Sequence, residues 1–456
     1  MTSPLMRRLT ALLATAATLV AAPALSQDLT AITGGRVLTG TSVIENGTVV
    51  IQNGRIVSVG TGAAPSGARI IDARGAVVTP GLVAVDAGLG ASEVSSVNGS
   101  DDLSNSANTI SASFDVSYGL DPWSFTLPVA RLGGITRAVV IPNHPGAGGG
   151  DHSHHIDDSD FAGVGSAGLQ SPSLFAGQAS IIHLAAGTEI LVRPRVAMVA
   201  PFGEAGAGIA GGARGAQFVQ FKETLAEVRL YARNRAAYDR AAVRDLSLSR
   251  ADLEALIPVA NGDMPLIVTV RRAADILQVL RLADEEGIDL ILDGADEGWL
   301  VASQIASAEV PVLLTPIDNL PGNFETRAAR MENAAALNAA GVVIAIKGQG
   351  VHRAREARFN AGNAVSHGLP FEAAIAALTV NPARIFGMAG QFGELRAGAA
   401  ADVVVWDGDP LEPLSSVTAQ FINGQQQDLN SRQILLRDRY RNGGRPAGGM
   451  PLAYGN

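Results

Sequence analysis

"MPLIVTVR" (264–271), "RAADILQVLRLADEEG" (272–287) and "IDLILDG" (288–294) follow one another without a gap, and their reading decides the fold. The first reads as a buried strand. The second reads as a helix closed by Gly287, since glycine takes the left-handed conformation that ends helices without a steric cost. The third is another strand. Downstream, "EGWLVASQIASA" reads as a helix, "VPVLLTP" as a strand, "RAARMENAAALNAAG" as a helix and "VVIAIKG" as a strand. "LPFEAAIAALTVNPARIFG" closes the series with helices, Pro370 suiting a first-turn position. Upstream, "GITRAVVIP" (134–142) reads as a further buried strand. Strand and helix alternating over about 250 residues imply either a parallel barrel or a doubly wound sheet. Residues 143–178, rich in Gly, Asp, His and Ser, read as a long loop above the strands.

The chain ends read differently. Between residues 29 and 78, short β-rich runs are broken by Asn46-Gly47 and Asn53-Gly54, and Asn423-Gly424 recurs near the other end. Asn-Gly pairs are hairpin signals because both residues tolerate positive φ. The two ends are expected to share one small β domain. The expected division is an export signal over 1–26, the small domain over 27–78 plus 390–428, the α/β body over 79–389, and a polar tail from 429 to 456.

The export signal rests on basic Arg7 and Arg8, an apolar run from Leu9 to Ala22 too short to span a bilayer comfortably, and small residues in "ALSQ" (24–27). Cleavage is expected after Ser26 and delivery to the periplasm or beyond, with no membrane span in the mature chain. Removing the two arginines takes the formal charge from −9 to −11. With no basic stripe, nucleic acid is not an expected partner. The chain has no cysteine, which excludes disulfides, a thiolate nucleophile and Cys-ligated zinc.

"NGRIVSVG" (53–60), "DARGAVVTPGLV" (72–83), the strand–helix series, "LTVNPARIFGM" (378–388) and "GELRAGAAADVVVWDGDPL" (393–411) occur in the order seen in the amidohydrolase superfamily. Over residues 30–425 the chain resembles a secreted member of its imidazolonepropionase-like branch. The resemblance implies an α/β fold: a (β/α)8 TIM-like barrel with a small β-sandwich domain built from both chain ends. It also implies one or two divalent metals at the barrel mouth, Zn among them, activating a water that hydrolyses C–N bonds in small amides or peptides. In that family the ligands are His-x-His on strand 1, a carbamylated Lys or a Glu on strand 4, one His each on strands 5 and 6, and an Asp on strand 8.

The corresponding positions here are poor in ligands. Counting from Pro80-Gly81-Leu82, strand 1 offers Asp86 and Gly88. The strand 4 candidate "ASIIHLAAG" offers His183, and strand 5 offers Thr269 and Arg271, whose guanidinium cannot ligate. Strand 6 offers Asp293 and Gly294. Strand 8 offers Lys347 and, at the position of the Asp, Gln349, which cannot act as a base. The usual binuclear site is therefore expected to be absent, and no cofactor is expected. Asp86, Arg271, Asp293, Lys347 and Gln349 stand as barrel-mouth candidates, with His183 and Thr269 as further pocket candidates.

Only two of the 34 basic residues are lysines. Lys222 is expected on a helix surface. Lys347, near the end of a strand, is expected to pair with Asp86 or Asp293, and Arg271 to satisfy a neighbouring aspartate. "DHSHHIDDSD" (151–160) gives a weaker alternative metal set, His152, His154, His155 and Asp157, whose bland reading is a solvated polar loop. Two functions stand side by side: a periplasmic C–N hydrolase of the family, or a non-catalytic barrel binding a small zwitterionic, peptide-like ligand or a protein partner. The sequence leaves the oligomeric state open, a homo-oligomer included.

Overall fold

The computed structural model describes residues 29–441, apart from 95–96, 98, 107–108, 145–172 and 349. The expected export signal, Gln349, and His152, His154, His155 and Asp157 lie outside the described residues.

Near the N-terminus, β1 (Thr30–Leu38), β2 (Val43–Gln52), β3 (Arg55–Gly60), β4 (Arg69–Asp72) and β5 (Val77–Pro80) are laid down. Eight strands of the barrel follow. These are β6 (Leu82–Val85), β7 (Ile135–Val140), β8 (Gly177–His183), β9 (Leu191–Pro201), β10 (Leu266–Val270), β11 (Leu290–Gly294), β12 (Val312–Leu314) and β13 (Ile344–Ile346). The chain then returns with β14 (Val403–Trp406), β15 (Val417–Ile422) and β16 (Gln425–Gln426).

The small sheet joins both chain ends in the order β16-β15-β14-β5-β1-β2-β3, with β4 alongside β1. Two Asn-Gly pairs make the turns expected of them. Gln52 pairs with Arg55 across Asn53-Gly54, and Ile422 with Gln425 across Asn423-Gly424. All four turn residues have positive φ, as this two-residue turn requires. Asn46-Gly47 is different. Gly47 faces Gly35 and Ile44 faces Val37, so Glu45 and Asn46 oppose the single residue Arg36 inside a continuing ladder. Asn46, at φ +50°, is a bulge and not a hairpin turn. Asparagine tolerates that conformation in either setting, so the dipeptide alone does not tell them apart.

The second sheet runs β6 to β13 in chain order and curls into a nearly closed barrel. Helices Phe371–Leu378 and Val380–Ile385 pack against both β6 and β13 across the remaining gap. Inward side chains form an apolar lumen from Val83, Val139, Ile181, Val199, Ile267, Ile291, Leu313 and Ala345, with Phe386, Met388 and Phe392 in the same cluster.

One strand departs from the (β/α)8 pattern. β8 pairs antiparallel with both β7 and β9, while all other neighbours in the barrel are parallel. The connection explains it. Only residues 184–190 join β8 to β9, and a parallel pairing needs a crossover of about a dozen residues or more. In chain order "ASIIH" is the third strand of the barrel and not the fourth, and β9, unrecognised in the sequence, is the fourth.

Helix Ala273–Glu286 follows the expected course, with Gly287 at φ +69° as its left-handed cap. Lys222 lies on helix Arg214–Arg233 and meets Glu285 at 2.5 Å, a half-exposed surface pair.

Candidate functional site at the barrel mouth

Strand alternation builds the site. Two residues beyond each lumen side chain Ile267, Ile291, Leu313 and Ala345 come Thr269, Asp293, Thr315 and Lys347, so these point the same way, one layer higher. The apolar floor becomes a polar rim at the C-terminal ends of the strands. On β6 the alternation is broken. Val83 and Val85 face the lumen, yet Asp86, next in line, reaches inward as well. It does so because it sits at φ +57°, with its N–H donating to Val139 O at 3.0 Å.

The three charged groups of this layer meet. Lys347 Nζ lies 2.8 Å from Asp86 Oδ2 and 2.5 Å from Asp293 Oδ1. Thr269 Oγ1 reaches Asp293 Oδ2 at a long 3.4 Å. The backbone of Lys347 is fixed on both sides: its N–H donates to Leu314 O and its carbonyl accepts from Asn360 Nδ2, each at 2.8 Å. Burial lowers the basicity of the Lys347 ammonium. The charges of Asp293 and Asp86 and their hydrogen bonds outweigh it, so the net shift is upward and the group stays protonated. Burial pushes the Asp86 carboxyl up, Asp293 adds to that shift, and the ammonium opposes it.

Arg271 stands beside this cluster and bonds Asp296 Oδ2 at 3.1 Å, with its side chain 30 % exposed. Burial raises the Asp296 carboxyl, against the pull of Arg271. The expectation that Arg271 would satisfy a neighbouring aspartate holds, and the partner is Asp296. Residues that sequence reasoning did not single out complete the surroundings. Asp318 lines the same cleft, and Asn319 ties its loop by donating to Arg330 O at 2.7 Å. Asn333 accepts from Trp299 N at 2.8 Å and donates to Ala295 O at 3.0 Å. Asp296, in "DGADEG" just past β11, had a legible position, as a carboxylate beside a mouth arginine. Asp318 closes the short helical turn Pro316–Asp318, which carries no periodic signal, and Asn333 opens helix Asn333–Ala339, an element that was expected but whose uncharged first residue had nothing to mark it.

The cleft enclosed by Thr269, Arg271, Asp293, Thr315, Asp318 and Lys347 has a volume of about 50 Å³. That is room for a few waters or one small polar end group.

Of the seven sequence candidates for the mouth and its pocket, the structure brings Asp86, Thr269, Arg271, Asp293 and Lys347 together, and Gln349 is outside the described residues. His183 is elsewhere. Because β8 is reversed, its last residue lies beside Arg137 near the start of β7, at the opposite end of the barrel. Burial and the nearby Arg137 charge hold its imidazole below its usual pKa, against the pull of Asp402.

A divalent metal does not fit this donor set. Between the two carboxylates the cation position is taken by the Lys347 ammonium, and the Arg271 guanidinium stands next to it. Among the described residues, no three His, Cys, Asp or Glu side chains converge as a metal site.

Known proteins place the fold. The amidohydrolase family model matches residues 301–428. The protein "Amidohydrolase tasK" of Hapsidospora irregularis is 24 % identical over 388 residues, covering 80 % of this chain and 37 % of that one. The chain thus spans little more than a third of this relative's length. An amidohydrolase structure from Thermotoga maritima MSB8 superposes with a TM-score of 0.72 at 22 % identity, covering 87 % of this chain and 99 % of the other. A molinate hydrolase structure gives a TM-score of 0.50 at 17 % identity over 88 % of this chain and 95 % of the other.

Proposed function

We propose, on the premise that this chain is an amidohydrolase-superfamily protein by its barrel fold and its family match, that it is an exported barrel which binds the charged end of a small zwitterionic ligand. An amino acid or short peptide has that chemistry. The observation that carries this reading is the charge pattern of the cleft. Lys347 is neutralised by Asp293 and Asp86, and Arg271 by Asp296, yet Arg271 keeps 30 % of its side chain open to solvent and Asp318 lines the same cleft. A planar guanidinium is suited to a carboxylate, and a carboxylate to an ammonium. Metal-dependent turnover is not part of this reading, because the polar layer presents fixed cations where an open coordination position would be needed.

Calorimetric titration with glycine, free L-amino acids and a panel of dipeptides tests it. Binding by at least one class is expected, with roughly a tenfold loss or more in Arg271→Ala, the scale of a charge-assisted contact. No binding by any of these zwitterions, or binding that Arg271→Ala leaves unchanged, overturns the reading.

A second reading, hydrolysis of C–N bonds in small amides or peptides, is favoured by the family match over residues 301–428. Assays on amides and dipeptides with added Zn or Mn test it, with Asp86→Ala as control. Turnover abolished by that substitution would put catalysis at this mouth and displace the binding-only reading.

A further inference from the structure

We infer that the Lys347 ammonium is a tethered replacement for a metal ion: the chain retains a cation position between Asp86 and Asp293 and fills it permanently with its own side chain. The inference rests on the ion-pair geometry and not on the ligand reading, so either can fail without the other.

Three observations carry it. The two carboxylates come from strands on different sides of the barrel, β6 and β11, and converge on one point; Nζ sits there, 2.8 Å from one and 2.5 Å from the other. Second, Asp86 reaches that point only by adopting φ +57°, an uncommon conformation for a residue other than glycine, and the surroundings hold it there. Third, the ammonium is nearly enclosed, its side chain 11 % exposed, and its backbone is pinned at both polar atoms. A surface lysine passing near two acids would show none of this.

The substitution has chemical consequences. An ammonium offers one positive charge and three N–H donors, with no open coordination position. It holds two carboxylates together and can donate to a ligand oxygen. It cannot generate a hydroxide as a bound metal does. A second cation cannot share the position, since two like charges a few ångströms apart repel strongly in a poorly solvated site. The carboxylate pair is therefore held ready whatever metals the surroundings supply.

The test replaces the tether. In a background with His152, His154 and His155 changed to Ala, so that the His-rich segment contributes no metal affinity, Zn is titrated calorimetrically into three proteins: the background itself, the background with Lys347→His, and that variant with Asp86→Ala added. The background is expected to bind no stoichiometric Zn. Lys347→His, which supplies an imidazole beside two carboxylates, is expected to bind about one equivalent. Adding Asp86→Ala should weaken that binding by tenfold or more. Lys347→Ala is the second arm, because it needs no new ligand to form. Its melting temperature should be lower than that of wild type and should recover by roughly a few degrees with Mn or with ethylammonium, either of which can occupy the vacated position. Stoichiometric Zn in the background, lost when Asp86→Ala is made in that background as a fourth protein, would show that Lys347 does not hold the cation position and would overturn the inference. It would equally fail if folded Lys347→His bound no more Zn than the background. Should Lys347→His not fold, the inference falls if neither cation raises the melting temperature of Lys347→Ala.

Discussion

Lys347 works as the middle of a three-residue charge cluster, and the cost of disturbing it follows from burial. Removing the ammonium leaves two carboxylates facing each other in a poorly solvated layer, and breaking a buried pair in this way costs about 3–5 kcal/mol. Lys347→Met is expected to lose that much in urea unfolding at neutral pH. The loss should depend on pH in a defined window. The folded-state pKa of Lys347 lies above its ordinary 10.5. Above that pH the unfolded chain has released a proton that the folded chain still holds, so the stabilisation is complete below it and falls as pH rises through the folded value. The gap between wild type and Lys347→Met should therefore narrow as pH rises above 10.5. A gap of constant width across that range would count against the cluster. The pairing of Lys347 with Asp293 was legible, since both side chains stand at strand ends on the same inward phase. The φ of Asp86 was not legible, because strand alternation alone would turn that side chain away from the lumen.

At the scale of elements, inward and outward positions follow from period two, and strand direction does not. The pattern of "ASIIH" is the same whichever way the strand runs, so His183 could be placed on a strand but not at an end of the barrel. What sets the direction is the short link 184–190, and that link is recognisable only once β9 is seen to begin at Leu191. β9 was hidden by Arg193, Pro194 and Arg195 in its first half, which lies largely toward solvent. The passage from the small sheet into the barrel is tighter than its sequence suggests. A Cβ on Gly81 would lie 2.0 Å from Thr136 Oγ1, between β5 and β6 on one side and β7 on the other. Gly81→Ala should therefore cost about 1–3 kcal/mol by overpacking, measured as a shift in the urea midpoint. Gly215→Ala, in helix Arg214–Arg233 with open space around it, should show no loss. Equal effects at the two positions would contradict the close approach.

Across the whole molecule, the two sheets are joined by buried polar contacts. Arg137 on β7 pairs with Asp402 at 2.5 Å, donates to Asn423 Oδ1 at 2.7 Å and lies over the Phe392 ring. Gln420 donates to Ile135 O at 3.0 Å, and the Trp406 ring fills the space that a Cβ on Gly134 would need. Such a joint should make barrel and small sheet unfold together. Asp402→Ala strands a buried guanidinium and should cost about 3–5 kcal/mol. Far-ultraviolet dichroism and tryptophan fluorescence should then give coincident, equally shifted transitions in this variant. Two separated transitions would show that the sheets melt independently. The same joint sets an order in time. β5 takes its partner β14 from residues 403–406, beyond every strand of the barrel. During synthesis the N-terminal strands emerge first, and the edge of β5 stays open while the whole barrel is made, exposed to wrong pairing. The sheet closes only when β14 arrives, and with it Asp402 reaches Arg137. Completion of the small sheet is thus a built-in check on chain completeness: a product that stops short of β14 keeps an open edge and an unmatched buried charge, and it is marked by both as unfinished.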